Sequence, residues 1–242
     1  MRGLRKRSSK SIEPGAIPVK NNPKNQKKNV ADVLVAGASG LIGGAVLNLL
    51  KDDPATGKVI ALVRRKIPSL PNVARVHQEI IDFESMEAYS HLMEARTVVC
   101  AMGTTIKTAG SKNAFREVDY GIPIRLAEIV IKNGCEKFIL VSAVGADPNS
   151  PVFYNQVKGE LERDIETIGF KSLHIIRPSL LLGHRKEFRM GEEIGKMMVK
   201  PFMSLIPGKY KPVHAEVIAQ KIRSLLDNTP PGVHVYEGNR IY

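Results

Sequence analysis

The run Val33-Leu34-Val35-Ala36-Gly37-Ala38-Ser39-Gly40-Leu41-Ile42-Gly43-Gly44 constrains the fold more than any other stretch of the chain. Four apolar residues suited to a buried strand lead into glycines spaced G-x-x-G-x-x-G, and an apolar helical pattern (Ala45, Val46, Leu49, Leu50) follows. The glycines have separate tasks. Gly37 permits the tight turn, Gly40 admits a pyrophosphate close to the backbone, and Gly43 lets the helix pack on the strand. The helix start then points unpaired N–H groups and the positive end of its dipole at an anion. A glycine-rich turn without a ligand is the competing reading; the flanking strand and helix favour a dinucleotide.

From residue 31 onward strand and helix patterns alternate, which argues for a parallel sheet covered on both faces. Strands are expected at 32–36, 58–63, 73–77, 97–101, 137–142, 172–176 and 233–236, and helices at 41–51, 84–93, 112–133, 154–168 and 214–227. Residues 59–63 and 138–141 are apolar throughout, as strands buried on both faces must be. The 242 residues accommodate one such domain at 31–242, with a small substrate-side segment near 178–212.

Charge needs dividing before it is interpreted. Of the net +12, residues 1–30 supply +8 through nine Lys or Arg against Glu13, leaving +4 for the remaining 212 residues. The body is mildly basic, so a specific nucleic-acid partner is not expected. The tail has too few apolar residues to fold alone. It reads as a solvated extension, an arm for anionic surfaces, or a targeting sequence of transit-peptide composition that lacks a convincing amphipathic helix. No apolar run reaches the ~20 residues of a membrane span. Cys100 and Cys135 lie in apolar segments without metal-ligand spacing, which points to reduced core thiols and a cytoplasmic protein.

The tip of the second strand reads Arg64-Arg65-Lys66, where the adenosine ribose of a dinucleotide would lie. Guanidinium forks suit a 2′-phosphate, so NADP is expected over NAD; a solvated surface run is the alternative. Asp82, after the third strand, suits either the adenine amino group or the cap of the next helix. After the fourth strand, Gly103 would let the backbone pass the cofactor, and Thr104 and Thr105 would touch phosphate or ribose, or else cap a helix. The cofactor set is thus Gly37, Ser39, Gly40, Leu41, Ile42, Gly43, Arg64, Arg65, Asp82, Gly103 and Thr104, with Lys158.

Tyr154 and Lys158 stand at i and i+4, on one face of a helix that follows the fifth strand. A phenol with a pKa near ~10 is a poor acid–base group at neutral pH, and a neighbouring ammonium draws it down by favouring phenolate. Lys158 would also hold the nicotinamide ribose, and Ser142 at the strand end would bind a substrate carbonyl. An ordinary surface pair is the alternative. The position after the fifth strand, twelve residues beyond that serine, favours chemistry.

Cys100-Ala101-Met102-Gly103-Thr104-Thr105, Ala109-Gly110-Ser111, Ala114 to Tyr120, Val141 to Ala146, Tyr154 to Lys158 and Arg177-Pro178 occur in one order. In them the chain resembles the short-chain dehydrogenase/reductase superfamily, in its extended or atypical division, over about residues 31–236. More narrowly it is similar to the small NAD(P)-binding oxidoreductases of the Tat-interacting-protein group. The resemblance implies a Rossmann fold, the glycine turn as cofactor site, and Ser142, Tyr154 and Lys158 as catalytic residues. It also implies that Asp119 supports the active-site side of the cofactor and that His214 and Glu216 anchor the last helix. His184 follows Arg177-Pro178 as a loop histidine. The superfamily's catalytic asparagine has no clear counterpart, although Asn113 is near in sequence. Only about 60 residues follow Arg177, which favours a small substrate over a sugar nucleotide. The methionine-rich 187–206 reads as a cover over the crevice, an adaptable pocket or partner face, or a membrane-surface helix.

Together these features predict an NADP-dependent oxidoreductase acting on a small carbonyl or alcohol, as a monomer or homodimer. An NADPH-binding regulatory protein without catalysis is the alternative.

Overall fold

The computed structural model describes residues 31–68, 70, 75–182, 210–227 and 230–242. The basic tail, His184 and the methionine-rich 187–206 lie outside them. Seven strands form one parallel sheet: β1 (Ala31–Ala36), β2 (Thr56–Val63), β3 (Val76–Ile80), β4 (Thr97–Cys100), β5 (Lys137–Val141), β6 (Ser172–Arg177) and β9 (Gly232–Glu237). Their order is β3-β2-β1-β4-β5-β6-β9, so the chain reverses direction across the sheet between β1 and β4. In open α/β sheets ligands bind at the carboxyl edge beside that reversal.

The strands alternate their apolar side chains between two cores. Leu34, Val98, Leu140 and Ile175 face one cluster, closed by α4 (Ile122–Lys132) and α5 (Phe153–Ile168). Val33, Val99, Ile139 and Ile176 face the other, closed by α1 (Leu41–Leu50) and α6 (Ala215–Leu226). This is the doubly wound α/β architecture expected from the alternating pattern. Both cysteines are buried, and burial raises their thiols to about 11 for Cys100 and about 12 for Cys135, so they are inert core groups.

Several boundaries differ from expectation. Strand β3 reaches Ile80 because its register against β2 pairs Val59–Val63 with Val76–Ile80; only Val76 is buried on this edge strand, so its apolar signal is weak. The helix expected at 84–93 is a 3-10 helix, Met86–Leu92. The one expected at 112–133 is interrupted: α3 (Lys112–Arg116) runs through a π turn (Glu117–Gly121) into α4. A short helix α2 (Ile106–Ala109) precedes it, capped by the Thr105 side chain and ended by Gly110 at φ 86°. Two-residue strands β7 (Leu181–Leu182) and β8 (Val213–His214) pair with each other. There the buried anchors of α6 are Val213 and Ala215, whereas the His214 and Glu216 side chains are exposed, contrary to the role the resemblance implied.

At the β6–β9 edge, buried His174 places Nε2 2.9 Å from Ser172 Oγ and Nδ1 3.1 Å from Tyr236 Oη, and stacks on His234 at 5.1 Å. Burial, reinforced by His234 and Lys137, lowers its pKa to about 4. Its folded value lies below the ordinary ~6.5, so the unfolded chain binds the proton first and stability falls as pH drops from 6.5 towards 4. The expected loss is at most ~1.4 kcal/mol per pH unit across that window. Thermal unfolding against pH should show this slope in the native chain and a flatter one in His174→Gln; equal slopes would contradict the assignment.

Candidate cofactor and active site

A cleft of about 310 Å³ opens at the carboxyl edge beside the reversal point. It gathers Gly37, Ser39 and Gly40 from the first turn, Arg64 from the end of β2, and Gly103 and Thr104 from the turn after β4. Leu62, Phe83, Val118 and Ile122 give it an apolar wall. Leu41, Ile42 and Gly43 form the first turn of α1 behind this lining. Arg65 is exposed beside Arg64, outside the lining. The Asp82 carboxylate lies outside it too, where it accepts from the Glu84 backbone N–H at 3.0 Å and Ser85 Oγ at 3.1 Å. These bonds close the turn ahead of the 3-10 helix, whose N-cap is Ser85 without a side-chain cap bond, so Asp82 does not cap it.

The glycine spacing has its cause in the protein's own backbone. Gly37 has φ 82°, and a Cβ there would come under 3.0 Å from the Ala101 carbonyl. A Cβ on Gly43 would overlap the Gly37 carbonyl, and one on Gly40 would stand 2.9 Å from the same oxygen. Gly40 is also the N-cap of α1, with no side-chain cap bond and no acid in the first turn. The helix therefore begins with backbone donors facing the cleft and nothing anionic beside them. On β3, Gln78 accepts from the Ile67 N–H at 2.8 Å and donates to its carbonyl at 3.2 Å, pinning the loop that carries Arg64 and Arg65.

The catalytic candidates Ser142, Tyr154 and Lys158 are not among the residues that line this cleft; of the three, Lys158 comes up to its Gly103 turn. Lys158 is 3% exposed and lies 2.8 Å from Asp119 Oδ1. Asp119 Oδ2 accepts the Thr104 N–H at 2.8 Å, tying the β4 turn to α5. A Cβ on Gly103 would stand 3.4 Å from Asp119 Oδ1 and 3.9 Å from Lys158 Nζ, so the glycine lets the turn pass directly over the ion pair. Tyr154 is half-buried against Phe115, with ring centroids 5.6 Å apart. Ser142 Oγ is buried and has no hydrogen-bond partner among the described residues.

The electrostatics correct one expectation. Burial raises the Tyr154 phenol; Lys158 draws it down, Asp119 pushes it up, and the net shift is upward. For Lys158, burial opposes the ammonium, but Asp119 and Tyr154 outweigh it and raise the pKa. Lys158 is thus charged yet already partnered, and does not bring the phenol towards neutrality.

Two framework contacts were not anticipated. Gly159, next to Lys158, packs where any Cβ would overlap the backbone of Asp147 and Pro148, and the Asp147 N–H donates to the Asn155 carbonyl at 3.1 Å. The loop after Ser142 is thereby seated on the helix carrying Tyr154. Arg177 bonds Glu162 through Nε at 3.1 Å and Nη2 at 2.5 Å, and Glu237 lies 3.5 Å from its Nη1, joining α5, β6 and β9. A glycine inside a helical pattern was the available signal for the first; nothing local marks Glu162 for the second.

The donors, cations and apolar wall suit a nicotinamide dinucleotide, and known proteins agree. A family described as NAD(P)H-binding matches residues 37–181. Protein HTATIP2 of Rattus norvegicus is 32% identical over 214 residues, 88% of this chain and 85% of its own. The mitochondrial protein FMP52 of Saccharomyces cerevisiae is 35% identical over 155 residues, 63% of this chain and 66% of its own. Among solved structures, MoeE5 in complex with UDP-glucuronic acid and NAD superposes with a TM-score of 0.65 at 17% identity, covering 85% of this chain and 75% of that one. A putative NAD-dependent epimerase/dehydratase from Bacillus halodurans gives 0.62 at 22% identity, covering 84% and 92%. At those identities the structural likeness bears on the fold, which is Rossmann-type. The sequence matches go further: the chain belongs to the NAD(P)H-binding family that includes HTATIP2 and FMP52.

Proposed function

We propose that the chain is an NADP-dependent oxidoreductase of short-chain dehydrogenase type, acting on a small carbonyl or alcohol. The observation that carries this is the approach of Lys158 and its Asp119 partner to the Gly103 turn, which joins the tyrosine–lysine helix to the floor of the cofactor cleft. Bound there, a nicotinamide nucleotide would supply or accept hydride. Tyr154 moves the proton at the substrate oxygen, Lys158 holds the ribose hydroxyls, and Ser142 orients the oxygen with its unpartnered hydroxyl. The backbone donors at the start of α1 hold the pyrophosphate. Deuterium carried on the nicotinamide of labelled NADPH should appear on carbon in the product of a carbonyl panel. Tight NADPH binding with no transfer to any member would favour the regulatory reading.

Arg64 supports NADP over NAD, because it lines the cleft where a 2′-phosphate would lie. A charge-assisted contact of ~1.5–3 kcal/mol corresponds to about tenfold or more in affinity. Arg64→Ala should therefore weaken NADPH by at least about tenfold while leaving NADH nearly unchanged, by calorimetry. An unaltered NADPH/NADH ratio would remove the preference. The compartment proposed is cytoplasmic, supported by free thiols at Cys100 and Cys135. The similarity to mitochondrial FMP52 makes import the outcome that imaging of a tagged chain must exclude. Among the described residues no helix is long and apolar enough to cross a membrane.

A further inference from the structure

We infer that Gln78 is a positioning residue for cofactor choice: by holding the main chain at Ile67 it sets Arg64 towards the cleft, and with it the preference for a 2′-phosphate. This rests on the reading of Arg64 as the 2′-phosphate contact, and it names what keeps that contact in place.

The cations after β2 do not choose a direction by themselves. Arg64, Arg65 and Lys66 are all exposed, and none forms an ion pair among the described residues. Like charges on consecutive residues repel, and long side chains on a loose loop spread over many rotamers. Yet of the three only Arg64 lines the cleft.

The bridge that carries them is clamped to β3 at both ends. Before it, the Val63 carbonyl accepts the Ile81 N–H at 3.0 Å, continuing the β2–β3 ladder. After it, Gln78 Oε1 accepts the Ile67 N–H at 2.8 Å, and Gln78 Nε2 donates to the Ile67 carbonyl at 3.2 Å. A carboxamide presents an acceptor and a donor side by side, so it meets one residue's N–H and C=O as a neighbouring strand would. The Ile67 carbonyl also takes the Leu70 N–H at 3.1 Å, which closes a turn on the far side.

Packing alone would hold this point less definitely. Gln78 stands opposite Ala61 in the register, and Ala61, Ile67 and Leu70 all belong to the α1-side core. Apolar contact seats the chain there without direction, whereas the two bonds fix which way the Ile67 main chain faces. A three-residue bridge held at both ends has few conformations left. Without Gln78 it is bonded at one end only, and the cost of ordering it falls on the ligand that uses it. NADPH uses it through the 2′-phosphate; NADH has no such group.

Calorimetry with NADPH and with NADH on the full chain tests this. Gln78→Met keeps length and bulk and removes both bonds. It should weaken NADPH by about three- to tenfold and change NADH by no more than about twofold. In the Arg64→Ala background the same substitution should alter NADPH by less than about twofold, because no contact is left to position. Equal weakening of both nucleotides, or a lowered Tm with the native NADPH/NADH ratio, would make Gln78 a structural residue only and overturn the inference. Additive losses from Arg64→Ala and Gln78→Met would overturn it too. If Gln78→Met does not fold, Gln78→Glu carries the test. It keeps the shape and the bond from the Ile67 N–H, loses the bond to the carbonyl and sets a carboxylate beside the cations. NADPH should then weaken by at least about threefold against NADH, and an unchanged ratio overturns the inference. A native chain that binds both nucleotides equally, or an unaltered ratio in Arg64→Ala, strikes the NADP reading together with this one. A ratio lost in Arg64→Ala but kept in both Gln78 variants strikes this one alone.

Discussion

Tyr154→Phe is expected to cut turnover by roughly 10²–10⁴-fold, the range of a positioned general acid, while changing NADPH affinity by no more than about twofold. The substitution keeps the ring that packs on Phe115 at 5.6 Å and removes only the hydroxyl. Lys158 keeps its partner Asp119 at 2.8 Å, and the glycine turn and Arg64 are untouched. Folding and binding should therefore survive while the proton has no donor. Calorimetry with NADPH and kcat on one turned-over carbonyl separate the two effects. Retained activity would move the acid to another group, and lost binding would make Tyr154 a cofactor contact. A partner captured only with NADPH present, and captured equally by Tyr154→Phe, would instead favour a regulatory protein.

Gly159→Ala should be nearly as damaging, from a position with no hydrogen-bonding side chain. The added methyl would fall under 3.0 Å from Asp147 and Pro148 main-chain atoms. Backbone cannot swing aside as a flexible side chain can, so the loop after Ser142 must lift from α5 or the helix must shift. Overpacking of this kind costs ~1–3 kcal/mol, which for a chain of this size lowers Tm by roughly 2–12 °C. Ser142 and Tyr154 lie on the two parts forced apart, and displacing catalytic groups by ~1 Å costs about 10²-fold in rate. Gly44→Ala is the control. Its Cβ would meet the Ala38 carbonyl oxygen at 3.7 Å, an ordinary contact, and helix propensity favours alanine there by up to ~1 kcal/mol. Equal Tm and kcat for Gly159→Ala and the native chain would refute the packing argument.

The wider outline was legible because burial on both faces leaves a strong local trace. Apolar runs such as 59–63 and 138–141 marked central strands that the sheet contains. The edge strand β3 and the pair β7–β8 were harder to read, since partly wet or two-residue strands carry little periodic signal. The π turn at Glu117–Gly121 was illegible for another reason: its residues suit a regular helix, and the extra residue per turn is a tertiary choice that brings Asp119 into the interior.

Sequence alone determined the strand–glycine–helix unit, the doubly wound order and the presence of Tyr154 and Lys158 on one helical face. These depend on spacing, and spacing is a property of the chain. Only the tertiary structure decided why two of the glycines are glycines, since Gly37 and Gly159 are required by backbone from other segments, Ala101 and Asp147–Pro148. It also decided the charge around Tyr154. Asp119 and Lys158 are 39 residues apart in sequence and 2.8 Å apart in the fold, and the phenol responds to distance in space.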